Sequence, residues 1–105
     1  MDVDEKVRIA EKIANELVDV RRSEWMKWVE YSMRHDLNKA LKLADSLSKS
    51  PMRMGPKKTY SRIYKVIDRE LRTLSEVSPN DMNEIFGYVS WIISIPSGFG
   101  AWKDE

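Results

Sequence analysis

Residues 57–74, KKTYSRIYKVIDRELRTL, carry the clearest structural pattern in the chain. Their apolar side chains recur at intervals of three and four, which aligns them on one side of an α-helix. The residues predicted to be buried are Ile63, Ile67, Leu71 and Leu74, with Tyr60 and Tyr64 flanking them. Basic residues recur with the same spacing on the opposite side. The pattern therefore predicts an amphipathic helix that packs on a core and exposes a line of cations.

The helical period extends outward from this stretch in both directions, and no run alternates with period two for long enough to indicate a strand. The predicted helices span roughly residues 3–20, 23–48, 59–76 and 79–95. The fold class is therefore all-α, a four-helix bundle-like single domain over residues 1–105 of up-down character. A basic loop containing proline and glycine, residues 49–58, joins the middle helices, and residues 96–105 form a short apolar C-terminal tail.

Each predicted helix has an inner face that the periodicity identifies. In the first helix these residues are Val3, Val7, Ile9, Ala10, Ile13, Ala14, Leu17, Val18 and Val20. In the second they are Met26, Val29, Met33, Leu37, Ala40, Leu41, Ala44 and Leu47, and in the fourth Met82, Ile85, Phe86, Val89, Ile92 and Ile93. Ser23 would cap the second helix, although residues 20–23 would equally continue the first. The sequence Ser78-Pro79-Asn80-Asp81 gives the strongest boundary signal.

Composition excludes several classes of protein. The chain has 105 residues, of which 33% are charged, and its 18 Lys+Arg nearly balance 17 Asp+Glu. It contains no cysteine, which excludes disulfides and thiolate chemistry and favours a cytoplasmic protein. The acidic, amphipathic start is unlike a secretory signal. The most apolar stretch, residues 85–95, is well short of the ~20 residues that a membrane-spanning helix needs, so no membrane association is expected.

Two lines of polar and basic residues lie opposite the predicted inner faces, each with spacing 4, 3, 4, 3. The line on the third helix consists of Lys58, Arg62, Lys65, Arg69 and Arg72, and that on the second helix of His35, Lys39, Lys42, Ser46 and Lys49. Arg53 and Lys57 in the loop connect them. Continuing the second line backwards reaches Trp28 and Tyr31, two aromatic residues that could stack on unpaired bases.

Charge is unevenly distributed although the net charge is only +1. Residues 34–72 contain 11 Lys+Arg and four Asp+Glu, whereas residues 1–20 contain three against six and residues 73–105 one against five. Lines of Lys and Arg bind polyanions by releasing condensed counterions. The N-terminus of the third helix, beside Lys57, Lys58 and Thr59, would also suit a phosphate group.

These observations predict a non-enzymatic accessory subunit that binds nucleic acid, with RNA or single-stranded DNA favoured. The predicted phosphate-binding residues are Lys39, Lys42, Lys49, Arg53, Lys57, Lys58, Arg62, Lys65, Arg69 and Arg72. The alternative interpretation is a merely solvated helix face, on which Asp45 pairs with Lys49 and Asp68 with Arg72.

The C-terminal stretch YVSWIISIPSGFGAW, residues 88–102, suggests a second function. The residues concerned are Tyr88, Trp91 and Ile95, on the side of the fourth helix away from its core face, and Phe99 and Trp102 in the tail. The tail could fold back and cover Trp91. Alternatively, these residues form a surface for a homo-oligomer or another protein, and the chain is then a protein-protein interaction or oligomerisation module.

No catalytic, metal or cofactor site is predicted. His35 is the only histidine, and its neighbour Asp36 would point away from it on a helix. Gly55 stands alone in its loop, so there is no glycine-rich phosphate cradle. A linker of about ten residues also fits a helix-turn-helix motif poorly. In shape and charge, although in no motif, the layout resembles accessory subunits of RNA-containing effector complexes, including small helical subunits of CRISPR assemblies.

Overall fold

The computed structural model describes residues 1–17, 20–51 and 54–94. The helices, in chain order, are α1 (Val3–Glu16), α2 (Arg22–Arg34), α3 (Leu37–Ser48), α4 (Met54–Arg69), α5 (Leu71–Ser75) and α6 (Pro79–Ser94). These described ranges contain no β-strand. The all-α prediction is therefore confirmed, and the bundle-like arrangement is broadly consistent with the structure.

Two helix pairs form the body of the molecule. α1 packs along α6, and α3 packs along α4 as a helical hairpin, while α2 contacts α3, α4 and α6. α2 therefore lies between the two pairs, in contact with α6 of one pair and with both helices of the other. No helix within the described ranges is both long enough and apolar enough to cross a membrane, and the longest have 16 residues.

Three aromatic rings occupy the region where α2 meets α6. The ring centroids of Trp25 and Phe86 are 5.7 Å apart and those of Trp28 and Phe86 5.5 Å apart, with edge-on geometry in both pairs. Trp25 Nε1 donates to the hydroxyl of Ser90, and Trp28 Nε1 donates to the carbonyl of Ala40, each at 2.8 Å. Both indoles are thus packed and hydrogen-bonded within the core.

The single helix predicted over residues 23–48 is wrong, because α2 ends at Arg34 and α3 begins at Leu37. His35 has an extended backbone, and the carboxylate of Asp36 caps α3 by accepting from the Lys39 N–H at 2.8 Å. Because of this break, the buried positions of α2 and α3 do not follow one continuous helical spacing. As a result, α2 buries its tryptophans, whereas Met26 and Met33, predicted to face inward, are exposed.

The predicted boundaries around the third helix also need correction. α4 begins at Met54 and not near residue 59, so the loop is shorter than residues 49–58. Pro56 falls in the first turn of α4, where a backbone N–H would have no partner within the helix and proline is tolerated. The connection between α3 and α4 is therefore shorter than the ten residues predicted, although it is still longer than the three or four residues of a helix-turn-helix turn. At the other end, the helix predicted to reach residue 76 divides at Glu70 into α4 and α5.

The ends of the first and last helices follow local chemistry. α1 ends at Glu16 rather than continuing to residue 20, and it is separate from α2. At the start of α6, the hydroxyl of Ser78 accepts from the Asp81 N–H at 3.1 Å, and Pro79 is the first helical residue. The predicted boundary at this position is confirmed.

An ion cluster fixes α1 against α6. Lys6 Nζ lies 3.1 Å from a carboxylate oxygen of Asp81 and also pairs with Glu84. The hydrogen bond from Lys6 lowers the pKa of Asp81 below its ordinary value. Hydrogen bonds to Glu84 and Asp81 in turn raise the pKa of Lys6.

Candidate nucleic-acid interface

The basic residues predicted to bind phosphate lie on the α3–α4 hairpin, its connection and α5. Among the described residues of this set, those exposed to solvent are Lys39, Lys42, Lys49, Lys58, Arg62, Lys65, Arg69 and Arg72. Lys57 is half-buried, and Arg53 lies outside the described residues. Together these nine described cations form the basic face.

Local packing explains why these side chains point outward. On α4 the buried face carries Ile63, Val66 and Ile67, and on α3 it carries Ala40 and Ala44. The cations of each helix lie on the opposite side, at about 180° on a wheel of ~100° per residue. α2 packs against both α3 and α4, and the exposed cations of each of these two helices lie away from its buried face.

Carboxylates neutralise only part of the basic face. Lys49 pairs with Asp45 at 3.2 Å, as the i,i+4 spacing predicted, and Arg69 pairs with Glu16 of α1 at 3.1 Å. Arg62 also takes part in an interaction. Within the described ranges, the cations that form no ion pair are Lys39, Lys42, Lys57, Lys58, Lys65 and Arg72.

The Arg69–Glu16 contact belongs to a junction that the sequence did not reveal. One carboxylate oxygen of Glu16, Oε1, is buried without a hydrogen-bond partner in the described structure, while Oε2 accepts from Arg69. Between α4 and α5, the buried Glu70 pairs with Lys12 of α1 at 3.3 Å. Arg69 is therefore partly a structural residue, because its guanidinium helps to hold α1 against α4.

The two aromatic residues predicted to stack on bases differ in their exposure to solvent. Trp28 is only 1% exposed and lies in the aromatic core, which contradicts its assignment as a stacking residue. Tyr31 is half-buried and packs on the ring of His35, with ring centroids 4.1 Å apart. The helix break at His35 and Asp36 explains the error, because the line through α3 does not continue into α2.

The residues predicted to form a phosphate site at the N-terminus of the third helix do not lie at that N-terminus. Lys57, Lys58 and Thr59 lie after the first residues of the helix and not at its N-terminus, which is Met54. Thr59 is buried, and its hydroxyl accepts from the backbone N–H of Arg21 at 3.2 Å. Thr59 therefore joins the start of α2 to α4.

The second surface predicted from the sequence is partly described. Trp91 is 67% exposed on α6 and Tyr88 is half-buried beside it, whereas Ile95, Phe99 and Trp102 lie outside the described residues. A largely apolar groove of about 590 Å³ runs between α1 and α6, here called the α1–α6 groove. It is lined by Val7, Glu11, Glu84, Gly87, Tyr88, Trp91 and Ile92.

The α1 side of this groove was missed because a single helical pattern does not show which helix packs beside it. Val7 was predicted to lie in the core, but it lines the groove together with Glu11. Only the pairing of α1 with α6 brings these residues next to Trp91.

Comparison with known proteins does not assign a family. No protein-family model matches the chain, and neither a curated protein nor a solved structure matches it. In the part of the chain that the structure describes, no group of three or more His, Asp or Glu residues could hold a metal ion. Any functional proposal therefore depends on the geometry and charge of the surfaces described above.

Proposed function

We propose that this protein is a small non-enzymatic accessory subunit that binds nucleic acid, preferably RNA or single-stranded DNA, through the basic face. The observation that carries the proposal is the clustering of exposed cations on one hairpin. Eight of the nine cations of the basic face are exposed, and six form no ion pair within the described ranges. Such cations exchange bound counterions for phosphates when a polyanion arrives.

The mode of binding follows from the residue types involved. Lysine and arginine on the outside of two packed helices contact phosphate oxygens, and such contacts position a strand without reading its sequence. Trp28 contributes to the fold and not to stacking. Binding is therefore electrostatic, weakly dependent on base sequence and strongly dependent on salt.

The first experiment measures binding of a fluorescent single-stranded RNA as the salt concentration rises. The logarithm of the affinity should fall linearly with the logarithm of the salt concentration, with a slope of about −0.7 for each phosphate contacted. The double variant Lys58→Glu/Lys65→Glu replaces two exposed cations that lie on the same face of α4, about two turns apart. Its slope should be shallower by about 1.4, and its affinity should be lower at every salt concentration.

A matched control has the same change in net charge at another place. Arg8 and Lys27 are exposed on α1 and α2, outside the basic face. The variant Arg8→Glu/Lys27→Glu should retain most of the affinity and the original slope. If both double variants lose affinity equally, binding depends on net charge alone. That result would contradict the assignment of the basic face, as would binding that is insensitive to salt.

The second candidate, a protein-protein interaction or oligomerisation module, rests on the separate α1–α6 groove. The observation that favours it is the exposed indole of Trp91 in an apolar setting. A partner bound there would depend little on salt, and the variant Trp91→Ser would abolish it without changing the affinity for RNA. Sedimentation of the full chain at several concentrations separates self-association from binding to another protein.

A further inference from the structure

The α1–α6 groove has two features that packing within the described residues does not explain. Trp91 keeps two-thirds of its surface exposed although the surface of the groove beside it is largely apolar. Gly87 lies inside α6, where glycine costs roughly 0.5–1 kcal/mol relative to alanine. Such a residue is usually retained where another part of the structure comes close to the helix.

The surroundings of Gly87 contain nothing that requires a glycine. A Cβ atom built at this position would meet no heavy atom within 4 Å. The absent side chain therefore leaves the floor of the groove open instead of relieving a contact. Together with the exposed Trp91, this opening indicates that the groove receives a further apolar segment.

We infer that the segment is the C-terminal stretch of the same chain, residues 95–105, docked in the α1–α6 groove. This stretch, IPSGFGAWKDE, offers two aromatic side chains, Phe99 and Trp102, next to small glycine residues. It begins directly after Ser94, the last residue of α6, and Trp91 is less than one turn away. Pro96 prevents α6 from simply continuing.

The distances allow this assignment. Along α6, Gly87 lies about 10 Å before Ser94, at a rise of ~1.5 Å per residue. The six residues from Ser94 to Gly100 span up to ~20 Å when extended. Phe99 and Trp102 can therefore reach back over Tyr88 and Gly87.

Tethering favours this occupant over any other. A segment joined by a short linker has an effective concentration in the millimolar range, well above that of a second copy or a free protein in dilute solution. The docked tail covers Trp91 and limits self-association through the groove. An external partner can use this surface only after displacing the tail.

Disulfide trapping in the full chain tests the inference directly, because the protein contains no cysteine. In the variant Glu11→Cys/Ala101→Cys, one thiol lies at the edge of the groove and the other in the tail. In the matched variant Lys42→Cys/Ala101→Cys, the first thiol is exposed on α3, which packs chiefly on α2 and α4. Oxidation should close the first pair within the monomer at least ~10-fold faster than the second, because docking raises the local thiol concentration.

A third variant supplies the second measurement. Gly87→Leu in the Glu11→Cys/Ala101→Cys background adds an apolar side chain to the groove at a position where a Cβ atom meets no heavy atom within 4 Å. It should slow disulfide closure because it occupies space that the tail would use. Equal closure rates for the two cysteine pairs would overturn the inference. Disulfides found only in covalent dimers would also overturn it, because the groove would then hold the tail of a second copy. Closure unaffected by Gly87→Leu would show that the tail lies elsewhere.

Discussion

Replacement of Trp28 separates a core role from a nucleic-acid role most sharply. Trp28 was predicted from the sequence to stack on bases, yet its indole is buried between Trp25 and Phe86. Because Trp28 is a core residue, its substitution should lower the free energy of unfolding and leave the RNA affinity of the folded protein unchanged. If Trp28 stacked on bases instead, its substitution would lower the RNA affinity and leave the free energy of unfolding almost unchanged.

The expected magnitude follows from two contributions. Trp28→Phe removes the indole N–H that bonds the Ala40 carbonyl at 2.8 Å, a loss of about 1 kcal/mol. The smaller ring leaves unfilled space that costs roughly another 1 kcal/mol. The sum, about 2 kcal/mol, should lower the melting temperature by roughly 8–16 °C for a domain of this size. Trp28→Ala should cost about 3–5 kcal/mol, a large part of a typical stability of roughly 5–15 kcal/mol.

Urea unfolding followed by circular dichroism measures these differences, and a salt titration with RNA measures the affinity of the folded variant. Lys27→Ala is the matched control, because Lys27 is the exposed neighbour in α2 and its loss should change stability by less than ~0.5 kcal/mol. If Trp28→Phe unfolds at the same urea concentration as the parent chain, Trp28 does not contribute to the core as described. If this variant is fully folded but loses RNA affinity, Trp28 contacts the RNA, which contradicts its position in the core.

Two further predictions concern the α1–α6 pair. Ser78→Ala removes the hydroxyl that caps α6 and should lower the free energy of unfolding by about 1 kcal/mol. The control Ser46→Ala, on the exposed side of α3, should leave this free energy almost unchanged, and urea unfolding measures both variants. The lowered pKa of Asp81 implies a stabilisation that is complete above its ordinary pKa of about 3.9 and is lost as pH falls through the folded-state pKa. Between pH 5 and 2, Asp81→Asn should therefore weaken the pH dependence of the urea midpoint, and an unchanged dependence would contradict the Lys6–Asp81 contact.

Local signals predicted the helices well where the chemistry that ends them is also local. The start of α6 was predicted because Ser78 and Pro79 act through neighbouring backbone groups. The outward direction of the cations on α4 was predicted because it follows from the position of its apolar face. These features require no knowledge of how helices pair.

The break between α2 and α3 could not be found in the same way. Apolar residues keep a helical spacing from Val29 through Leu37 to Leu41, so periodicity continues smoothly across the break. The signal that was available is Asp36, a common capping residue just before an apolar run. Because Asp36 was placed inside one continuous helix over residues 23–48, the buried and exposed faces of α2 were predicted incorrectly.

Contacts between distant parts of the chain account for the remaining differences. The acidic N-terminal and C-terminal regions could in principle have neutralised the basic face. Instead, Lys6 engages Asp81 and Glu84 where α1 meets α6, while the ion pair between Glu16 and Arg69 brings one α1 carboxylate onto the basic face. Folding thus uses several terminal carboxylates to join helices, and most of the positive charge on the α3–α4 hairpin remains exposed. The exposed positive charge is the physical basis for expecting a polyanion there, whereas the apolar lining and the exposed Trp91 are the basis for expecting an apolar segment in the α1–α6 groove.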